Sequence, residues 1–386
     1  MGQEIHSIDF TPEAFEEYRR RLRTETELLV AWEHQGRLRS APFRLGFELE
    51  GWLVDEAGEP AARNAEFLAE LADPQVVPEL ARFNFEINDD PLPFTPGMFD
   101  CMHASLQARW ARCEEAVRAF NAAKVVSAAT VAVGANSPFF LQRRLWEETR
   151  IPLFEQAVAV GGSDYSRRVT FGIRYAHESL LEPFIANLER YPVLLPDLMD
   201  EPPEHLAHLR LHNGTIWRWN RPLVGFDEQG RPHYRIEHRV VAAGTSVADL
   251  VADTAFFAGL VHALITEIPP PETRLSFALA RENFYRAARH GLAARVRWLE
   301  DGEGPLDRLV VERLLPLARD GLHAVGLDDE EIARWLGIVE ARVRSGITGS
   351  AWQRHWIDAH GPDWPGLVMA YAERQATGRP VHEWPP

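Results

Sequence analysis

Residues 43–54 read FRLGFELEGWLV, and the alternation within this stretch decides the fold class. Side chains in a strand point to opposite faces in turn, so residues i and i+2 share a face. Glu48, Glu50 and Trp52 then lie on one face, and Phe47, Leu49 and Leu53 on the other. RFNFEIN (82–88) repeats the arrangement, with Asn84, Glu86 and Asn88 opposite Phe83, Phe85 and Ile87. HYRIEHRV (233–240) does so again, with His233, Arg235, Glu237 and Arg239 opposite Tyr234, Ile236, His238 and Val240. An antiparallel sheet with one wet face alternates this way for solubility alone. Two details favour a functional face instead. Solvated faces favour Lys and Thr, whereas these hold Glu, Asn and Arg, which are fixed ligands and forked donors. All three segments also make the same choice. If they are neighbours, Glu48, Glu50, Glu86 and Glu237 converge, and such charges stay ionised together only with cations between them. Oxygen ligands in that number suit Mg²⁺ or Mn²⁺. Arg235 and Arg239 flank Glu237, and Arg grips phosphate or carboxylate in bidentate fashion. Metal ligands beside arginines are the equipment for phosphoryl transfer from ATP.

Around these strands the pattern is largely helical. Thr11 caps a helix expected to reach His34. Residues 97–122 read as a helix and KVVSAATVAV (124–133) as a buried strand. Residues 143–158 read as a segment on or beside a helix, RRVTFGIRY (167–175) as a strand, and 178–190 as helix. HNGTIWRWNRP (212–222) and HYRIEHRVV read as strands joined by EQGRP, which could close a hairpin. From Ser246 onward the signal is helical, and EDGEGP (300–305) is the best linker candidate. Strands followed by a helical half argue an α+β fold, helices covering one face of a largely antiparallel sheet. The expected division is a catalytic domain over 1–300 and a helical region over 301–386.

The chain has 386 residues, 46% apolar and 25% charged, an ordinary globular mix. With 57 acidic and 41 basic side chains its net charge is −16, which repels phosphate backbones and argues against nucleic acid as a partner. Free acidic metabolites would need local cations to approach. Cys101 and Cys113, read on one helix, would sit roughly 18 Å apart, too far for a bridge. The N-terminus carries acids where a signal peptide needs a basic start, and no apolar run is expected to reach the length of a membrane span. The expectation is a cytoplasmic protein without a membrane partner; a homo-oligomer stays open.

There is no GxxxxGK[ST] and no GxGxxG, so neither a P-loop nor a dinucleotide fold supplies a nucleotide site. HNGTIWRWNRP is the alternative. Trp217 and Trp219 offer flat faces, Asn213 and Asn220 amide edges, and Arg221 charge; two core tryptophans beside a turn would read the same. His205, His208 and His212 share helical spacing, but no carboxylate or cysteine completes a metal set, and they read as helix-surface and capping residues.

At these residues the chain resembles a family. LGFELEGWLVD (45–55) and FNFEIN (83–88) resemble the two acidic strands of bacterial glutamate–cysteine ligases of the carboxylate–amine ligase branch. ANSPFFLQRRLWEETRIPLFEQAV (135–158) resembles that family's NSP…ETR segment. LRLHNGTIWRWNRP, RIEHRVVAAGTSVADLVADTAFFAGL and ENFYRAARHGL (282–292) follow in the same order. RIEHR also resembles the R-x-E-x-R strand of glutamine synthetase, whose fold the family shares. The resemblance implies that ATP phosphorylates a carboxylate, usually the γ-carboxylate of glutamate, and that an amine displaces phosphate to give an amide. It implies two or more Mg²⁺ (or Mn²⁺) ions on Glu48, Glu50, Glu86 and Glu237. Arg239, with Arg235, would steady the transferring phosphate, and Arg150 would meet substrate carboxylate or phosphate. Asn88, Asn213, Trp217 and Arg221 complete the expected substrate and nucleotide contacts. A guanidino-kinase-like phosphotransferase and a non-catalytic metabolite- or metal-binding relative are the alternatives. One departure stands out: the family's histidine-bearing strand before the NSP segment is missing. SLQARW (105–110), with Arg109 in the histidine's place, is either its remnant or part of a helix.

Overall fold

Ser246 starts the helix around which the molecule is organised. Its hydroxyl accepts the backbone N–H of Asp249, an N-cap that satisfies one of the orphan donors of a first turn. The helix Val247–Thr266 is apolar on nearly every side and is buried along most of its length. The computed structural model describes residues 10–35, 37–38, 44–45, 48–52, 60, 62, 64–65, 68, 76–79, 81–88, 92–93, 113–158, 167–177, 179–227 and 229–385; side chains at 44–45, 48–49, 87–88, 92–93 and 113–117 lie outside the description.

The chain is α+β. Its labelled helices are α1 (Pro12–His34), α2 (Cys113–Val133), α3 (Arg150–Ala157), α4 (Leu181–Arg190), α5 (Ala207–Gly214), α6 (Val247–Thr266), α7 (Phe277–His290), α8 (Leu315–Ala324), α9 (Asp329–Ser345), α10 (Gly349–His360) and α11 (Trp364–Ala376). Strands β1 (Glu48–Trp52), β2 (Val76–Pro78) and β3 (Asn84–Asn88) form a three-stranded antiparallel sheet in the order β1-β3-β2. β4 (Asn220–Phe226) and β5 (Pro232–His238) form a separate hairpin, and β6 (Arg295–Arg297) pairs with β7 (Glu303–Pro305).

The large core joins α2, α6, α7 and α9, through Val126, Ala129, Phe256, Leu260, Leu264, Phe284 and Val339. A second core sets α1 on α4 and α5, through Tyr18, Leu22, Trp32, Phe184 and Leu209. A third, around Trp352, Trp356 and Trp384, closes the C-terminal end. α6 and α8 meet at glycines: a Cβ on Gly321 would stand 1.9 Å from the Gly259 carbonyl oxygen, and one on Gly259 2.4 Å from that of Ala318. Both obstacles are backbone, so nothing can swing aside. Gly321→Ala should therefore push the helices apart and destabilise the fold by about 1–3 kcal/mol or more. A urea midpoint equal to wild type would contradict this close approach.

Several expectations need correction. KVVSAATVAV is the second half of α2, not a strand. Its β-branched residues alternate with alanines that favour helix, and every side of this segment is buried, which erases the amphipathic signal. RRVTFGIRY is irregular, with one bridge between Thr170 and Arg218. HNGTIWRWNRP splits into the end of α5 and the start of β4. The described strands form several small sheets rather than one broad one. Pro222 offers no N–H at the outer edge of β4, and its carbonyl is taken by Asn213 Nδ2 at 3.0 Å, so pairing stops there. EDGEGP closes the β6–β7 hairpin. α6 is long and apolar enough to cross a membrane by length and composition, contrary to expectation, and 61% of its most apolar window is buried inside the protein. Cys101 and residues 105–110 lie outside the described residues.

Candidate functional site

Register brings the first carboxylates together. Glu50 lies directly across from Glu86 in the β1–β3 ladder, and Val77 of β2 lies across Glu86 on the other side. Glu79, just beyond β2, adds a third. One carboxylate oxygen from each of Glu50, Glu79 and Glu86 lies within 4.8 Å of the others. Glu86 is buried, Glu79 half-buried and Glu50 exposed. Like charges this close repel, and a hard divalent cation taking oxygen ligands relieves the repulsion. The donor set, all carboxylate oxygen, fits Mg²⁺ or Mn²⁺. Glu79 has no place in the alternation read from sequence and was missed. Glu48 pairs with Asn88 in the ladder, and both side chains lie outside the described residues.

The second assembly sits at the open end of the β4–β5 hairpin. Asp227, Gln229, Gly230 and Arg231 close the other end, as EQGRP suggested: Gly230 donates to Asp227 O at 2.8 Å, with φ +72. Arg221 lies directly across from Glu237 and grips it with both prongs, Nε to Oε2 at 2.6 Å and Nη2 to Oε1 at 3.1 Å. Arg239 Nη1 reaches the same Oε1 at 3.1 Å. Burial alone would push the Glu237 carboxyl up, but the charges of Arg221 and Arg239 more than offset it and hold it below the usual range. Glu237 thus stands apart from the Glu50–Glu79–Glu86 group, as the anchor of two arginines. Its oxygens are already engaged, which corrects the expectation of four carboxylates on one sheet face.

Arg239 lies 5.8 Å from the Trp217 ring, and Trp217 donates its indole N–H to Gly214 O at 2.6 Å. Arg150, at the start of α3, donates Nη2 to the backbone carbonyls of Arg239 (3.0 Å) and Val240 (2.9 Å) and Nε to Glu148 at 3.2 Å. Its fork is directed at the protein, so it positions the turn after β5. Trp219 is no stacking platform: it is 2% exposed, 5.3 Å from the Arg150 guanidinium, with its N–H on Glu155 at 2.7 Å. Asn213 is buried, holding Pro222 O and accepting from Asn187 at 2.9 Å. Arg235 is half-buried in the middle of β5, across from Leu223.

Behind the hairpin, His238 is stacked on Phe257 with centroids 4.0 Å apart. Its Nδ1 meets Asn220 Oδ1 at 2.7 Å, so Nδ1 carries the proton and Nε2 accepts from the Thr130 hydroxyl at 3.0 Å. Burial, and then the charge of Arg150, lower its pKa to about 3, and it stays neutral. His208 and His212 are buried rather than on the surface. A carboxylate does reach His208: Glu25 of α1, far away in sequence, contacts its Nδ1 and accepts the Leu209 N–H at 2.7 Å.

A sequence profile of the glutamate–cysteine ligase family 2 (GCS2) matches residues 98–373. That span holds Arg150, Asn213, Trp217, Arg221, Arg235, Glu237 and Arg239, while Glu50, Glu79 and Glu86 precede it. Among curated proteins, none matches the chain. With well over half of its length matched, and the arginine-clamped hairpin inside the match, the chain belongs to glutamate–cysteine ligase family 2.

Proposed function

We propose that this protein is an ATP- and divalent-metal-dependent carboxylate–amine ligase, which forms an amide, γ-glutamyl in the simplest case, through an acyl phosphate. The observation that carries the reading is the Arg221–Glu237–Arg239 row inside the matched region, with Arg239 using one described prong on Glu237 and facing Trp217. A guanidinium anchored at one prong and presented at the other is preorganised for charge that develops on a transferring phosphoryl group. Glu237 fixes the spacing of the two arginines, and Arg150 fixes the backbone that carries Arg239. Trp217 offers the nucleotide an apolar face. Glu50, Glu79 and Glu86 would hold the metal, which neutralises phosphate charge when bound.

The test is ADP release with glutamate and a panel of amines, with and without Mg²⁺. Release that needs both glutamate and an amine supports ligation. A stable phosphorylated product without amine would indicate a phosphotransferase, and no turnover with any pair would indicate a binding protein.

Metal dependence gives a separate readout. Saturating Mg²⁺ should raise the melting temperature by mass action, worth about 2.7 kcal/mol at a hundred times its dissociation constant. Glu86→Gln should abolish that rise, because Glu86 is the member of the group paired to both neighbouring strands. Calorimetry showing no Mg²⁺ or Mn²⁺ binding to wild type, with or without ATP, would remove the metal from the account.

A further inference from the structure

Lys124 stands in the middle of α2, in a run otherwise apolar or small, and is 1% exposed. A buried ammonium is costly unless a carboxylate or a set of acceptors meets it. Among the described residues no carboxylate does. Its Nζ donates to Phe171 O at 3.0 Å and otherwise lies over rings, 4.6 Å from Phe120, 5.3 Å from Phe171 and 5.7 Å from Phe277. One described hydrogen bond leaves two of its three N–H groups without a described acceptor.

The amine lies at the wall of a cleft that opens between α2, α4, α5 and the edge of β4. Lys124, Arg174, Arg218 and Arg221 line it, against Glu182 as the one acid among the described lining residues. In a chain of net charge −16 four cations around one cleft stand out, although Arg221 is already paired with Glu237. Glu182 is itself committed, to Arg174 at 2.9 Å and to the His177 N–H at 2.8 Å. Arg218 is held by Thr170 Oγ1 at 2.5 Å and by the Tyr191 hydroxyl, both neutral, so its charge also lacks a described counter-ion. Gly172, at φ +113, is a second sign of a built site. A Cβ there would stand 3.0 Å from Lys124 Nζ, and any larger side chain would cover the amine.

We propose that this cleft binds a small oxyanion, the carboxylate of the acidic substrate, with the Lys124 ammonium as its buried counter-charge and Arg218 and Arg174 as flanking donors. The assignment of that anion as substrate rests on the ligase reading; the anion site itself does not. Burial, and then the charge of Arg218, lower the Lys124 pKa to about 7, so at pH 8 the empty site holds mostly neutral amine. Arg218, Arg174, Arg221 and Glu182 face it across the cleft, and Glu272 stands nearby through Asn121. An arriving anion favours the ammonium, so binding at pH 8 should draw in about one proton.

The experiment is titration calorimetry at pH 8 in two buffers of different ionisation enthalpy, with glutamate in one arm and inorganic phosphate in the other. Wild type should bind glutamate with proton uptake. Lys124→Met, which conserves volume, should bind at least about tenfold more weakly and take up no proton. Arg174→Ala, on the cleft rim, should weaken binding several-fold and keep the uptake, which holds the test open if Lys124→Met fails to fold. Tighter binding of phosphate than of glutamate would overturn the substrate assignment. Binding unchanged in Lys124→Met, binding without proton uptake, or no binding of either anion would overturn the site. Turnover with an unaltered glutamate KM in Lys124→Met would overturn the site and leave the ligase reading intact. Lys124-dependent glutamate binding without any turnover would do the reverse.

Discussion

Arg239→Ala is expected to lower ligation about 100- to 1000-fold, the cost of removing one preorganised donor at developing charge. The fold should survive, because Arg239 is a quarter exposed, 24% of its side chain, and Arg221 still grips Glu237 through both prongs. Metal binding should also survive, since Glu50 and Glu86 belong to another sheet and Glu79 follows one of its strands. Arg239→Lys should rescue poorly, because a point charge cannot hold Glu237 and reach a phosphoryl oxygen as a planar fork can. The measurement is ADP release under saturating glutamate and amine, beside circular dichroism of each variant. A variant that keeps most of the wild-type rate would refute the role given to Arg239.

The largest expected loss of stability comes from Arg342→Ala. Arg342 of α9 is 2% exposed and reaches two carboxylates of α6, Nη1 to Asp253 at 2.5 Å and Nη2 to Asp249 at 2.7 Å. It also holds the last carbonyl of α2, Val133 O, at 3.2 Å. Burial would lower its pKa, and the two aspartates more than offset this and raise it, so it stays charged. Asp249 in turn accepts from Thr245, Ser246 and the Val381 N–H, which ties the C-terminal end to the core. Removing the guanidinium strands two buried carboxylates, at a cost of about 3–5 kcal/mol. Replacing the whole trio by apolar residues of similar volume should cost far less, because then no charge is left unpaired. Chemical denaturation of Arg342→Ala and the triple replacement checks both. A single variant as stable as wild type would contradict the network.

The local features of the fold were legible. Thr11 and α1, the β4–β5 hairpin, α4 and the helical half after Ser246 each follow from caps, turn residues and periodicity. The second half of α2 was not, because a helix buried on all sides has no polar face to set its period. The broad sheet was over-read: alternation reports that a strand has two unlike faces, and says nothing of which strands are neighbours. The same limit hid the site's finer structure. Alternation placed Glu50 and Glu86 on strand faces, but Glu79 lies beyond a strand end. Glu237 reads identically whether its neighbours are metals or arginines; the cross-strand register with Arg221 distinguishes them. The partnerships of Glu25 with His208 and of Arg342 with Asp249 join residues 183 and 93 positions apart, beyond any local pattern. Lys124 did leave a signal, a lone cation in the apolar run AFNAAKVVSAATVAV, which becomes informative once that run is a core helix.

The central claim is that a substrate carboxylate is activated by phosphorylation before an amine attacks it. Glutamate carrying heavy oxygen in its γ-carboxylate, incubated with the protein, ATP, Mg²⁺ and an accepted amine, tests this directly. In an acyl phosphate the carboxylate oxygen bridges to phosphorus, and attack of the amine at carbon leaves that oxygen on the phosphate. Mass spectrometry should therefore find one labelled oxygen in each inorganic phosphate released. Phosphate released with only unlabelled oxygen, beside an amide product, would contradict the account.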